Sequence, residues 1–241
     1  MSNSKRILAF SSSREGSGGY LQTATPVIKD FIGDKNLTIA FIPFASVNTN
    51  YEEYTNMVRT ALSALPYTIK TAGADNAKEV VSNADVIMVG GGNTFKLLHD
   101  LYALELMPLI KEKVSTGTPY VGWSAGSNIA GATICTSNDM PIINPGSFDA
   151  LGFFPFQINP HYYNQPIVGF NGETRNQRLA EFLQLNPARS IVALPEGTAL
   201  LLQDEQLQLT GSTNALLLQW QQEQMVQQHL LPSTDLSFLM R

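Results

Sequence analysis

Tyr120-Val121-Gly122-Trp123-Ser124-Ala125-Gly126-Ser127-Asn128 is the most informative stretch of this chain. It opens as a short apolar strand, closes in small residues compatible with a helix, and carries a G-x-S-x-G pattern at the junction. A strand that turns through a serine into a helix presents the hydroxyl at the carboxyl end of a sheet. Glycines two positions to either side let neighbouring backbones pass closely. The Ala125 amide then opens a helix whose dipole favours negative charge, and it points where an oxyanion would form. A glycine-bearing turn with an incidental serine shares the local pattern, so the surrounding sequence has to decide.

Upstream, Asp85-Val86-Ile87-Met88-Val89-Gly90-Gly91-Gly92-Asn93-Thr94-Phe95 reads as a buried strand ending in three glycines and opening a helix. Such a turn exposes backbone N–H groups that can bind an anion, which supplies the second half of an oxyanion hole. A dinucleotide or phosphate loop fits less well. There is no G-x-G-x-x-G spacing, no Lys-Ser/Thr pair, and no acidic residue placed for a ribose.

The same alternation extends through the chain. Ile7–Phe10, Leu37–Ile42, Val86–Val89 and residues 119–122 and 191–194 read as buried strands. Residues 20–32, 51–65, 74–83 and 106–116 read as helices, the second opened by a capping box of Thr49 with Glu52. This order predicts an α/β fold: one three-layer domain with a mostly parallel sheet flanked by helices. Beyond Glu196 the pattern changes to a hairpin of residues 199–203 and 206–209 about Asp204-Glu205, then an apolar run over 215–220. Six of the ten residues from Gln219 to Gln228 are Gln, so residues 1–220 are expected to form the domain and 221–241 a solvated tail or edge of unassigned role.

Composition narrows the function. The chain has 241 residues, 44% of them hydrophobic, and only 15% charged, against roughly 25% in typical domains. Its net charge of −5 comes without a basic face, which argues against nucleic-acid binding. No apolar stretch is long enough for a membrane helix, and the polar start before Ile7 does not read as a signal peptide. One cysteine, Cys135, excludes an internal disulfide framework and a Cys-rich zinc site. A reduced, cytoplasmic, soluble protein without a metal site is the expectation.

Three histidines limit the choice of general base. His99 falls within a helical stretch and His229 in the Gln-rich segment. His161, in Ile158-Asn159-Pro160-His161, follows an apolar strand and is the one that can meet an elbow serine. The carboxylate orienting it could be Glu196, in Leu194-Pro195-Glu196-Gly197, or Asp139, in Ser137-Asn138-Asp139-Met140-Pro141. The order of serine, histidine and Glu196 is not the Ser–acid–His order of α/β-hydrolases, so an ordinary esterase or lipase is excluded.

Seven ordered blocks resemble the peptidase E family of aspartyl dipeptidases, relatives of cyanophycinase with a class I glutamine amidotransferase-like (flavodoxin-like) fold. They are residues 41–45, 90–95, 122–126, 136–142, 157–161, 172–175 and 194–197, and the resemblance spans about residues 6 to 220. It implies a cofactor-free serine peptidase, monomeric or homodimeric, that removes an N-terminal aspartate from small peptides. Ser124 matches the nucleophile, His161 the base and Glu196 the third member. Gly92 and Ala125 match the oxyanion donors, with Gly91 the alternative to Gly92, and Asp139 lies near the site. Arg175 matches a position that binds the aspartyl side chain, where a planar guanidinium can grip a carboxylate through two parallel hydrogen bonds. Two departures bear on specificity: Gly169-Phe170-Asn171 is less basic than expected, and Asn176 replaces an expected acid. The competing readings are a cyanophycinase-like peptidase acting on aspartate-containing polymers, and a non-catalytic small-molecule or anion-binding module.

Overall fold

The computed structural model describes residues 5–165, 169 and 171–241; Phe170, one of the two departures just named, lies outside the described residues. The strands are β1 (Ile7–Phe10), β2 (Leu37–Ile42), β3 (Tyr67–Thr71), β4 (Val86–Val89), β5 (Tyr120–Trp123), β6 (Gln157–Asn159), β7 (Ser190–Ala193), β8 (Thr198–Gln203), β9 (Gln206–Gly211), β10 (Ala215–Gln221) and β11 (Gln224–Leu230). The helices are α1 (Ala24–Ile32), α2 (Tyr51–Ala61), α3 (Ala77–Ser82), α4 (Thr94–Ala103), α5 (Leu106–Ser115), α6 (Ala125–Asn128) and α7 (Arg175–Leu185).

Seven strands form the main sheet in the order β3-β2-β4-β5-β1-β8-β9. The first five are parallel; β8 and β9 are an antiparallel hairpin added beside β1. Alternation along each strand sends its side chains to opposite faces. Ile7 and Ala9 pack in a core with α3, α4 and α5, whereas Leu8 and Phe10 pack in a second core with α1 and α2. Both faces are covered, as parallel strands buried on both sides require. The result is the expected three-layer α/β domain.

A second sheet, in the order β11-β10-β7-β6, was not foreseen as a separate layer. Helix α7 covers it through Leu179 and Leu183, which pack on Ile191, Ala193 and Leu218. Residues 221–241, expected to be a solvated tail or edge, take part in the fold and supply its edge strand β11. β11 pairs with β10 over seven residues, and Leu230, Leu236 and Leu239 are buried in the main core. Its Gln side chains stand on an exposed edge strand, where backbone pairing rather than side-chain burial holds it. Helix α2 is capped one residue later than expected. Asn50, not Thr49, accepts the Glu53 N–H at 3.3 Å, because the Thr49 carbonyl is engaged by Tyr51 N–H.

Candidate active site

Ser124 follows β5 at the turn into α6 in a left-handed backbone conformation, φ 54° and ψ −112°. A non-glycine residue held there costs on the order of 1–3 kcal/mol, so its surroundings must over-determine it. They do. A Cβ at Gly126 would lie 2.2 Å from the Val89 carbonyl oxygen, and one at Gly122 would lie 2.6 Å from that of Gly126. Ser127 Oγ lies within hydrogen-bond reach of the Phe10 (2.6 Å) and Gly122 (3.0 Å) carbonyls, tying the turn to β1. The helix that follows is a single turn, Ala125–Asn128, too short for the macrodipole that the sequence suggested. What it offers is the N–H of Ala125 itself, one of the donors a helix start leaves without an internal acceptor.

His161 reaches Ser124 from the other sheet. Its Nε2 is 2.9 Å from Ser124 Oγ, and its Nδ1 is 2.7 Å from Glu196 Oε1. The serine donates to Nε2 and Nδ1–H donates to the carboxylate in the neutral imidazole tautomer that such a line requires. His161 follows β6 and Glu196 follows β7, which run parallel and adjacent. Ser11, at the end of β1, staples that loop pair to the main sheet: its Oγ donates to the Leu194 carbonyl and accepts the His161 N–H, at 2.8 and 2.9 Å. The imidazole and the carboxylate are 41% and 52% exposed, so water reaches both.

Asp139 is not on the histidine. Its Oδ2 accepts the Thr94 N–H at 2.7 Å at the start of α4 and lies 3.2 Å from Ser137 Oγ. His99 contacts Asp100 on α4 and His229 lies on β11, both away from Ser124. No group of three or more His, Cys, Asp or Glu able to hold a metal occurs among the described residues.

The glycine run β4–α4 passes over the serine. A Cβ at Gly91 would meet Ser124 Cβ at 2.9 Å, and one at Gly92, where φ is 137°, would fall 2.3 Å from the Ala45 carbonyl oxygen. The flanking amides are spent on the frame, Gly90 N–H on Ile42 and Asn93 N–H on Ala45. Gly91 and Gly92 N–H have no acceptor among the described residues, which leaves both, with Ala125 N–H, available to an oxyanion at Ser124.

Arg175 opens α7 behind a complete capping box: Thr174 Oγ1 accepts Gln177 N–H, and the Gln177 side chain accepts Thr174 N–H. Its Nη1 donates to Asn159 Oδ1 (3.2 Å) and to the His161 carbonyl (3.4 Å). Buried Asn159 is itself fixed by donating to the Thr136 carbonyl and Asn138 Oδ1. Arg175 lines a cleft of about 200 Å³ with Ser137, Asn138, Asp139 and Arg178. Burial, then the nearby Arg178 charge, press its pKa downward. No carboxylate lies within ion-pair distance of it among the described residues, whereas Arg178 meets Glu173. Asn176 accepts the Tyr162 hydroxyl at 2.6 Å, a structural task a neutral amide performs.

Three supporting residues escaped the sequence reading: Ser11, Asn159 and Tyr54, whose hydroxyl donates to the Gly91 carbonyl in the glycine run. Asn159 lay inside a recognised block without a role. Ser11 and Tyr54 act across 150 and 37 residues of chain, respectively, so no local pattern announces them.

A parallel-sheet α/β fold with a histidine-bound serine on a strained strand–helix turn defines a hydrolase of the serine type. Residues 7–210 match the profile of peptidase family S51, and the chain belongs to that family. It is 46% identical over 238 residues to peptidase E of Nostoc sp., covering 98% of this chain and 97% of that protein. To peptidase E of Pasteurella multocida it is 48% identical over 215 residues, covering 88% and 92%. A crystal structure of a peptidase from an acI-B1 Actinobacterium shares the fold, with a TM-score of 0.72 at 20% identity over 98% of this chain and 97% of that one. The protein is thus a serine-type peptidase, and among its described residues no helix is long and apolar enough to cross a membrane.

Proposed function

We propose that the protein hydrolyses the peptide bond after an N-terminal aspartate, chiefly in Asp–Xaa dipeptides, through an acyl-enzyme on Ser124. His161 takes the Ser124 proton as Oγ attacks the aspartyl carbonyl. The negative oxygen of the tetrahedral intermediate takes hydrogen bonds from Ala125 and Gly92 N–H, with Gly91 the alternative. His161 then gives its proton to the leaving amine, and a water activated by the same imidazole releases aspartate. Glu196 holds the imidazole tautomer and stabilises the imidazolium without taking the proton. Asp139 borders the cleft and shapes it.

The observation that carries the specificity is Arg175: a half-buried cation without a carboxylate partner among the described residues, hydrogen-bonded to the carbonyl of His161. A substrate carboxylate is the ligand such a guanidinium lacks. Curated relatives named peptidase E, at 46–48% identity, support the same reading. The net charge of −5 favours peptide over nucleic-acid partners, the lone exposed thiol of Cys135 suits the reducing cytoplasm, and the protein acts as a monomer or homodimer.

The test is release of free aspartate from a panel of Asp–Xaa, Glu–Xaa, Asn–Xaa and Xaa–Asp dipeptides. Preference for Asp–Xaa by at least tenfold is expected. Equal turnover of Asn–Xaa, or turnover only of longer aspartate polymers, would overturn the proposal.

A further inference from the structure

Tyr54 stands on α2, outside the Ser124–His161–Glu196 line, yet its hydroxyl lies 3.1 Å from the carbonyl oxygen of Gly91. The indole Nε1–H of Trp123, the residue before Ser124, donates to that same hydroxyl at 3.2 Å. Each of these contacts has one sense for the phenolic group. An indole N–H only donates, so the tyrosine oxygen must accept there; a carbonyl only accepts, so the tyrosine proton must go to Gly91.

Gly91 C=O and Gly92 N–H belong to one peptide unit, and the described chain contains no cis peptide bond. In a trans peptide the two groups point in opposite directions. A hydroxyl that grips the carbonyl from one side therefore aims the N–H to the other. The neighbouring peptides are already tied down through Gly90 N–H and Asn93 N–H, and this one would otherwise be free to flip between two glycines, the residues least able to resist it.

We infer that Tyr54 is a positioning residue for hydrolysis: with Trp123 it locks the Gly91–Gly92 peptide so that Gly92 N–H faces the oxyanion formed at Ser124. The inference rests on the acyl-enzyme reading and on Gly92 as a donor. Several features support it. Burial raises the Tyr54 pKa, so the phenol remains a donor across the working pH range. The ring packs edge-on against Phe41 at 5.0 Å and 88°, which holds the hydroxyl in place. The fit is tight as well, since a Cβ at Gly90 would lie 2.6 Å from the Tyr54 oxygen. Preorganisation of this kind acts on the transition state, where the charge develops, and not on ground-state binding.

Tyr54→Phe removes the hydroxyl and keeps the ring. It should lower kcat on Asp–Xaa by about 10- to 100-fold, short of the roughly 10²–10³-fold typical of deleting an oxyanion donor outright, with KM within about threefold. The rate at which a fluorophosphonate probe phosphonylates Ser124 should fall in parallel, because that adduct also places an oxygen among the donors. This second arm needs no aspartyl substrate. Should the wild-type protein be labelled by the probe but fail to cleave Asp–Xaa, the substrate reading falls while Tyr54 is still tested. Unchanged kcat and unchanged phosphonylation in Tyr54→Phe, or a rise in KM alone, would overturn the inference. Trp123→Phe, which removes the indole donor and leaves the tyrosine, provides a second variant if Tyr54→Phe does not fold. It should show the same kcat-only signature at smaller size, and a loss expressed in KM would count against the lock.

Discussion

Ser124 and Arg175 sit at the carboxyl ends of two different sheets and are held in opposite ways. The serine is over-determined: a strained backbone, two glycines with no room for a side chain, and a glycine loop crossing within contact distance. The arginine stands at the first position of a helix, half-buried, donating to Asn159 Oδ1 and to the carbonyl of the partly exposed His161. The reacting oxygen thus stands on the main sheet, where geometry cannot drift, while the His161 and Glu196 that serve it come from the ends of β6 and β7 in the smaller sheet. In the proposed reading, choice of substrate belongs to Arg175 at the start of α7, beside the smaller sheet, where side chains are partly exposed and can adapt. Ser11 is the seam between the two, since it binds both the Leu194 carbonyl and the His161 amide. The division predicts that substitutions at Ser124, its glycine frame and the His161–Glu196 pair act on kcat, and those at Arg175 and its helix cap on binding and selectivity.

The largest effect belongs to the nucleophile. Ser124→Ala should reduce turnover by about 10⁴–10⁶-fold, as loss of a triad serine does elsewhere, while leaving the fold and dipeptide binding in place. Active-site titration together with steady-state rates measures this, and retention of more than a few per cent of the rate would remove Ser124 from its role. Next comes the opposite side of the comparison. Arg175→Met should depress kcat/KM for Asp–Xaa by roughly 30- to several thousand-fold, the range for removing a buried carboxylate partner. It should also narrow the gap to Asn–Xaa, whose neutral amide gains little from a guanidinium. An intact Asp-over-Asn preference would transfer the reading to Arg178, one turn along.

The expected effect at Glu196 is smaller than either. In buried triads the equivalent change costs about 10⁴-fold through the wrong imidazole tautomer. Here the carboxylate is 52% exposed, and exposed ion pairs are worth at most about 1 kcal/mol. Glu196→Gln should therefore cost about 10- to 100-fold in kcat, about fivefold of it from the lost ion pair and the remainder from the loosened imidazole tautomer, with substrate selectivity unchanged. A loss as large as that of Ser124→Ala would show that the carboxylate is desolvated during turnover, and would weaken the contrast between the two regions.

The two halves were also unequally legible in the sequence. β1, β2 and β4 coincide with apolar runs because they are buried on both faces, and the G-x-S-x-G turn is a contiguous pattern with a steric cause. β3 escaped notice because only Ile69 is buried in it, so an edge strand offered no apolar run to read. The β10–β11 pair was obscured by glutamines, whose backbone pairs as readily as any other but whose side chains announce solvent. Of the site, Ser124, His161 and Glu196 stand on strand ends that periodicity can find. Choosing Glu196 over Asp139 required the family resemblance, since both occupy similar turns. Ser11, Asn159 and Tyr54 are legible only once distant segments are brought together.

The smallest predicted effects sharpen the comparison most, because they concern two helix caps of similar local chemistry. Thr174 caps α7 immediately before Arg175, and Asn50 caps α2, one turn before Tyr54. Replacing either by Ala should cost about 1 kcal/mol, a fall in Tm of roughly 2–4 °C for a chain of this size. The kinetic consequences should differ even though the stability losses match. A loosened first turn of α7 blurs the placement of a substrate-holding cation, so Thr174→Ala should raise KM for Asp–Xaa by up to about fivefold, the equivalent of 1 kcal/mol, and leave kcat unchanged. A loosened α2 reaches the Gly91 carbonyl through Tyr54, so Asn50→Ala should lower kcat by a similar factor and leave KM unchanged. Steady-state kinetics on one Asp–Xaa dipeptide, alongside thermal unfolding of both variants, makes the comparison. If both variants shifted the same kinetic constant, the separation of bond making from substrate choice would not hold, and the glycine frame and the start of α7 would have to be treated as one coupled site.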